Sequence, residues 1–203
     1  YLAWVISGYL IAMTVATPIY GKLGDIYGRR LMLFSAIVIF LLSSVLCAMA
    51  TTMPVMILAR VIQGVGGAGL LAVSQTIVGD IISPRDRGRY QGYISTAFAI
   101  ASVTGPVVGG LLTEYISWRW IFWINVPLCV LAYLTARRAL DKLPIPKLRR
   151  SIDYLGALLL TIGLTILLIA ISRVGHGTAL TENLNLLLYG VSVAVLASFI
   201  WQE

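Results

Sequence analysis

Seven apolar stretches dictate what this chain can become. They are read at about residues 1–20, 31–50, 54–79, 90–112, 120–136, 154–172 and 186–202. A helix needs roughly 20 mostly apolar residues, at about 1.5 Å each, to cross about 30 Å of hydrocarbon. Inside hydrocarbon a backbone must satisfy its own hydrogen bonds, so each stretch is expected to be helical. Little chain is left over for anything else. A soluble domain carries about 25% charged residues. Here the figure is 11%, with 59% hydrophobic residues and a mean hydropathy of +0.93. The expected fold class is an all-α polytopic membrane protein, a helical bundle of about seven transmembrane helices.

A net charge of +7 could point to a polyanionic partner, but its distribution argues otherwise. Lys22, Arg29 and Arg30 fall in the first break between apolar runs, and Arg85, Arg87 and Arg89 in the third. Arg137, Arg138, Lys142, Lys147, Arg149 and Arg150 fall in the fifth, whereas the breaks between hold only Arg119 and Arg173. That alternation is the positive-inside pattern. It makes the odd breaks cytoplasmic, residue 1 external and residue 203 cytoplasmic. Tyr115, Trp118, Trp120 and Trp123 then sit where an external aromatic belt belongs. The basic balance reports topology, and no nucleic-acid partner is expected. Cys47 and Cys129, each inside an apolar run, read as small packing residues rather than a disulfide framework or metal ligands. The lone His176 reads as a solvated turn residue.

Short breaks imply antiparallel neighbours. "TTMP" (51–54) reads as a tight external turn with Pro54 in the first turn of the next helix, and "SPRDRGR" (83–89) as a cytoplasmic turn. "RRALDKLPIPKLRR" (137–150) is the longest link, stiffened by two prolines, and divides five helices from two. An odd helix count suits no carrier built from paired repeats. The chain also opens on Tyr1, almost inside a span, so it is expected to be a piece of something longer.

Arg60 lies about 10 Å into the third span. A cation near a helix centre costs at least about 2.5 kcal/mol to insert. Gln63 is one turn further along the same face, and Gly64, Gly66, Gly67 and Gly69 thin the helix for a close neighbour. A buried arginine wants a partner, yet no acid here lies mid-membrane. Its partner is expected to be a segment outside this chain, a substrate or a water-filled cavity. Tyr9, Thr14, Gln63 and Gln75 are candidate cavity residues. In the fourth span Ala101, Gly105 and Gly109 recur every four residues, a stripe that lets helices touch backbone to backbone. Pro106 within it removes one backbone hydrogen bond and bends the helix.

The first break, "GKLGDIYGRR" (21–30), concentrates charge and glycine between two uncharged runs. Gly21 and Gly24 are expected to permit a tight turn. Asp25 and Arg29, four apart, are expected on one face at the start of the next helix, where the acid suits the helix dipole. Asp80 is a second acid for Arg29 or Arg30. Positive-inside charge alone would explain the cations but neither the glycine spacing nor Asp25.

In this order these segments resemble the motifs of the major facilitator superfamily. "GKLGDIYGRR" resembles its loop between the second and third helices, and "RVIQGVGGAG" (60–69) the fourth-helix motif of proton-coupled members. Ala101 to Gly110, "AxxxGPxxGG" in pattern, resembles the fifth-helix antiporter motif, with Ala101 where glycine is usual. "WRWIFWINVP" (118–127) and the short "LPIPKLRR" link are similar to those of the fourteen-helix drug:proton antiporters. The resemblance covers essentially the whole chain. It implies that residues 1–138 are helices two to six of the amino-terminal lobe, 139–153 a cytoplasmic linker, and 154–203 two additional central helices. It also implies that the remaining transporter helices lie outside this chain.

By the same resemblance, Arg60, Gln63 and Gly64 belong to proton coupling and the transport pathway. Gly21, Lys22, Gly24, Asp25, Gly28, Arg29, Arg30 and Asp80 form a cytoplasmic gate latch. Ala101, Gly105, Pro106, Gly109 and Gly110 form the antiporter motif. The implied function is proton-coupled export of drugs or other amphipathic or cationic small molecules by alternating access, from a plasma-membrane location. Its partners are the substrate, protons and the lipid bilayer; no cofactor or metal is implied, and no catalysis. Export of a lipid, peptide or metabolite is the alternative. A seven-span receptor fits the helix count but not the motifs. A membrane enzyme would need convergent acids, histidines or a metal cluster.

Overall fold

The computed structural model describes residues 2–141, 154–175 and 177–202. The eight helices within them are α1 (Leu2–Tyr27), α2 (Arg29–Met49), α3 (Met53–Ile81), α4 (Arg87–Tyr115), α5 (Trp120–Trp123), α6 (Asn125–Leu140), α7 (Tyr154–Gly175) and α8 (Asn183–Gln202). Among the described residues seven helical segments are long and apolar enough to cross a membrane, α5 and α6 together making one of them. Pro127 explains their separation. It has no N–H to donate back to Trp123, so the helical ladder lapses there. The expected linker is described only to Asp141, and α6 carries the helix to Leu140. The rest of that link, with Lys142, Lys147, Arg149 and Arg150, lies outside the described residues, as does His176.

The helices outrun the apolar stretches. α1 continues through most of "GKLGDIYGRR" and stops only at Gly28, whose φ of 92° is a conformation open to glycine. The turn expected at Gly21 and Gly24 is therefore at Gly28, and both earlier glycines are helical. Gly24 does different work: a Cβ there would lie 2.8 Å from Arg29 Nη1, so its bareness makes room for the guanidinium. Asp25 consequently lies in the last turn of α1, not at the start of α2, and gains nothing from a helix N-terminus. Pro54 stands in the first turn of α3, where a missing N–H costs nothing.

The core is a three-helix sandwich. α3 packs against α1 on one side and α2 on the other, α6 covers α2, and the α7–α8 hairpin leans on α1. Two glycines set the spacing. A Cβ at Gly64 would come within 2.4 Å of the Tyr9 carbonyl oxygen on α1, and one at Gly66 within 2.6 Å of the Phe40 nitrogen on α2. Without a hydrophobic force to drive them together, helices in a bilayer depend on such close contact to associate. Around it lie Ala16, Tyr20, Ala36, Ile37, Ala68 and Val73, all buried. Among the described residues α4 buries none of its own.

Candidate functional site

Arg60 is presented by α3 between α1 and α5. Its Nη1 donates to Gln63 Oε1 at 2.5 Å, three residues on along the same helix face, and its Nε donates to the Val5 carbonyl of α1 at 3.3 Å. The guanidinium carbon stands 4.2 Å from the Tyr9 ring centroid and 6.0 Å from that of Phe122. A partner expected outside the chain is thus found within it. Five N–H donors in a planar fork can donate to any well-placed oxygen, and the guanidinium can lie over a ring face, so no carboxylate is needed. Among the described residues no carboxylate pairs with Arg60. The guanidinium is held by neutral groups.

Gln63, only 1% exposed, extends the network to a third helix. Its Nε2 donates to Ser44 Oγ of α2 at 2.7 Å, and the Cys47 Sγ stands 4.0 Å from its Oε1. Ser44 in turn donates to the Phe40 carbonyl at 2.7 Å and accepts a longer contact of 3.4 Å from Asn125 Nδ2, at the head of α6. Cys47 is therefore part of a polar contact and not only an apolar filler. Gly64 admits the backbone of α1 beside Arg60. Of the four candidate cavity residues, Tyr9 and Gln63 meet at Arg60. Thr14 and Gln75 are exposed, with the Thr14 hydroxyl turned back on the Leu10 carbonyl.

Sequence reading missed Val5, Ser44, Cys47 and Asn125. A signal existed for Ser44 and Asn125, since polar side chains inside apolar runs are costly and need partners. Beyond Arg60, a cavity of about 450 Å³ opens at the end nearer Thr51. Val5, Met53, Met56, Trp118, Arg119 and Phe122 line it, so Val5 and Phe122 separate it from the Arg60 network.

A second constellation closes the opposite end. Arg29 Nε donates to Asp80 Oδ2 at 3.0 Å, Nη1 to the Gly21 carbonyl at 3.3 Å, and Nη2 to Asp25. One guanidinium thereby ties the last turns of α1 and α3 to the first of α2. Arg30 pairs instead with Asp141, and lies over Phe34, itself 4.9 Å from the Tyr133 ring. That joins α2 to the end of α6. Lys22 is half-buried beside this cluster.

The third candidate set is dispersed. Ala101, Gly105, Pro106, Gly109 and Gly110 lie on an unbroken α4. A Cβ added at Gly105 or Gly110 would meet nothing outside its own helix backbone within 4 Å, and one at Gly109 only Ile121 Cδ1 at 4.0 Å. Close helix packing at this stripe does not occur within the described residues.

Long apolar helices around a half-buried, neutral-partnered arginine, fastened at the basic end by ion pairs, define an integral, multi-pass membrane protein. The comparisons narrow the class. The family model described as Major Facilitator Superfamily matches residues 1–202. An MFS-type transporter of Mycobacterium tuberculosis strain H37Rv is 39% identical over 202 residues, covering 99% of this chain and 29% of the relative. Multidrug resistance protein 3 of Bacillus subtilis strain 168 is 38% identical over 173 residues, 85% of this chain and 34% of the relative. The efflux pump dotC of Dothistroma septosporum is 43% identical over 158 residues, 76% of this chain and 27% of the relative. The chain belongs to the major facilitator superfamily and forms part of that family's helical bundle. It spans about a third of the length of these curated relatives.

Proposed function

We propose that the intact protein is a proton-coupled secondary transporter of the fourteen-helix kind, exporting amphipathic or cationic small molecules by alternating access. The carrying observation is Arg60, a cation at membrane depth whose partners are Gln63, a backbone carbonyl and an aromatic ring. Neutral partners leave its positive field intact. A carboxylate brought near it has its proton affinity lowered, and one moved away regains it. Rocking of two lobes could therefore bind a proton on one side and release it on the other. One charge crossing 100 mV supplies about 2.3 kcal/mol. The printed names of the Bacillus and Dothistroma relatives, a multidrug resistance protein and an efflux pump, favour export.

In this reading residues 1–138 are helices two to six of the amino-terminal lobe, 139–153 the cytoplasmic link, and 154–203 two additional helices. The charge alternation supports an external residue 1 and a cytoplasmic residue 203, in the plasma membrane. The cluster of Gly21, Lys22, Gly24, Asp25, Gly28, Arg29, Arg30 and Asp80 acts as the cytoplasmic latch, and Asp141 joins it. The unpartnered α4 stripe, Ala101 to Gly110, is the surface on which helices outside this chain close.

The test is transport by the intact protein in inside-out vesicles with an acid interior. Uptake of a cationic dye should follow the proton gradient and stop when a protonophore collapses it. Undiminished uptake after collapse would contradict proton coupling.

A further inference from the structure

We propose that Ser44 and Asn125 are positioning residues for Arg60, acting through the side-chain amide of Gln63. A serine hydroxyl has one proton to give and two lone pairs with which to accept. Ser44 gives its proton to the Phe40 carbonyl at 2.7 Å. Toward Gln63 and Asn125 it can then only accept. The amide must therefore turn its NH₂ to Ser44, where Nε2 stands at 2.7 Å. Its carbonyl oxygen then faces the other way, toward two donors, Arg60 Nη1 at 2.5 Å and the Cys47 thiol at 4.0 Å.

The reversed amide would set NH₂ against a guanidinium and an oxygen against a hydroxyl with no proton left. Three helices thus agree on one orientation: Ser44 from α2, Gln63 from α3 and Asn125 from α6. With Nη1 fixed by Gln63 and Nε by the Val5 carbonyl, the plane of the guanidinium is set against the Tyr9 ring. Asn125 occupies Ser44's second lone pair from 3.4 Å, which links the head of α6 to the arginine.

Neither residue touches the moving proton. Their effect is on where the positive charge sits, and so on the proton affinity of a carboxylate that approaches it. This consequence rests on the proton-coupled reading above. Removing the Ser44 acceptor frees the amide, weakens the hold on Arg60 and reduces its lowering of that carboxylate's pKa. The sign follows: the midpoint of transport against pH moves to higher pH.

The experiment measures dye transport against pH in the intact protein carrying Ser44→Ala, Asn125→Ala or Ser43→Ala. Ser43 is the matched control, equally buried on α2 but bonded only to the Ile39 and Phe40 carbonyls of its own helix. Ser44→Ala should move the midpoint alkaline by about half a unit or more, and Asn125→Ala by less in the same direction. Ser43→Ala should leave it in place. A Ser44→Ala profile that coincides with Ser43→Ala overturns the proposal.

A second readout stands apart from transport. Arginine ¹⁵N side-chain resonances of the intact protein are recorded in lipid, with Arg60 identified by its loss in Arg60→Lys. The Arg60 signal should shift in Ser44→Ala and not in Ser43→Ala. If the parent shows no proton-driven transport, the functional reading fails and this spectrum alone decides the positioning; an unmoved Arg60 signal overturns it.

Discussion

Replacing Gly66 by alanine tests the packing that carries the Arg60 network. The new Cβ would sit 2.6 Å from the Phe40 nitrogen, 2.8 Å from its Cα and 2.9 Å from its Cβ. Two of those three atoms are backbone and cannot rotate away. Restoring ordinary contact near 3.5 Å requires α2 and α3 to part by roughly 1 Å. Overpacking of this kind costs about 1–3 kcal/mol, against a helix-propensity gain for alanine of about 1 kcal/mol. The net destabilisation should be up to about 2 kcal/mol. At about 2–4 °C per kcal/mol for a chain of this size, Tm falls by up to roughly 8 °C.

Gly79→Ala on the same helix is the control, because nothing lies within 4 Å of its would-be Cβ. Thermal unfolding in lipid-containing micelles should show Gly66→Ala melting below the parent and Gly79→Ala at or slightly above it. The same separation stretches the 2.7 Å bond between Gln63 and Ser44 beyond hydrogen-bonding reach, so transport should fall as well. Equal melting of the two variants would refute the claim that α2 and α3 pack backbone to backbone at this point.

Other consequences follow from the remaining clusters. Asp80→Asn removes one of two carboxylates from Arg29, and because Asp80 is 48% exposed the loss should be no more than about 1 kcal/mol. Cysteine labelling from the cytoplasmic side should nonetheless increase, and unchanged labelling would argue against a latch. Arg29→Lys should mimic it, since a point charge cannot serve Gly21, Asp25 and Asp80 together as a planar fork does. Gly105→Val on α4 meets nothing within this chain. It should leave Tm nearly unchanged and yet cut transport in the intact protein; full activity would mean that the stripe closes on nothing. Asn185, fully buried at the α7–α8 turn, accepts from Arg173 Nε at 3.0 Å and donates to Thr178 Oγ1 and the Ala179 carbonyl. Asn185→Leu should cost about 1–3 kcal/mol by orphaning those groups, read as a lower Tm.

The spans were legible in the sequence because hydrocarbon thickness leaves a direct mark on composition. Their ends were not, because an apolar run reports the hydrocarbon and not the hydrogen-bond ladder. α1 therefore continues through a charged segment to Tyr27, and α4 begins at Arg87. In the first break the sequence pointed to Gly21 and Gly24 for the turn. Only the seating of the Arg29 guanidinium separates Gly24, which gives it room, from Gly28, which turns the chain. Arg60 has no acid of this chain at its depth in the sequence, and Gln63 stands on the same helix face. A neutral amide three residues away and a carbonyl on another helix satisfied the guanidinium equally well. The pairing of Arg30 with Asp141 joins residues far apart in the chain, which no local pattern encodes.

Proton-driven dye uptake by Arg60→Ala and Arg60→Lys, set beside the parent in the same energised vesicles, probes the central claim most directly. With membrane insertion confirmed equal, alanine should abolish gradient-driven uptake. Lysine, which keeps the charge but not the fork to Gln63 and Val5, should retain a reduced rate with a displaced pH midpoint. Parental uptake by Arg60→Ala would contradict the assignment of proton coupling to this arginine.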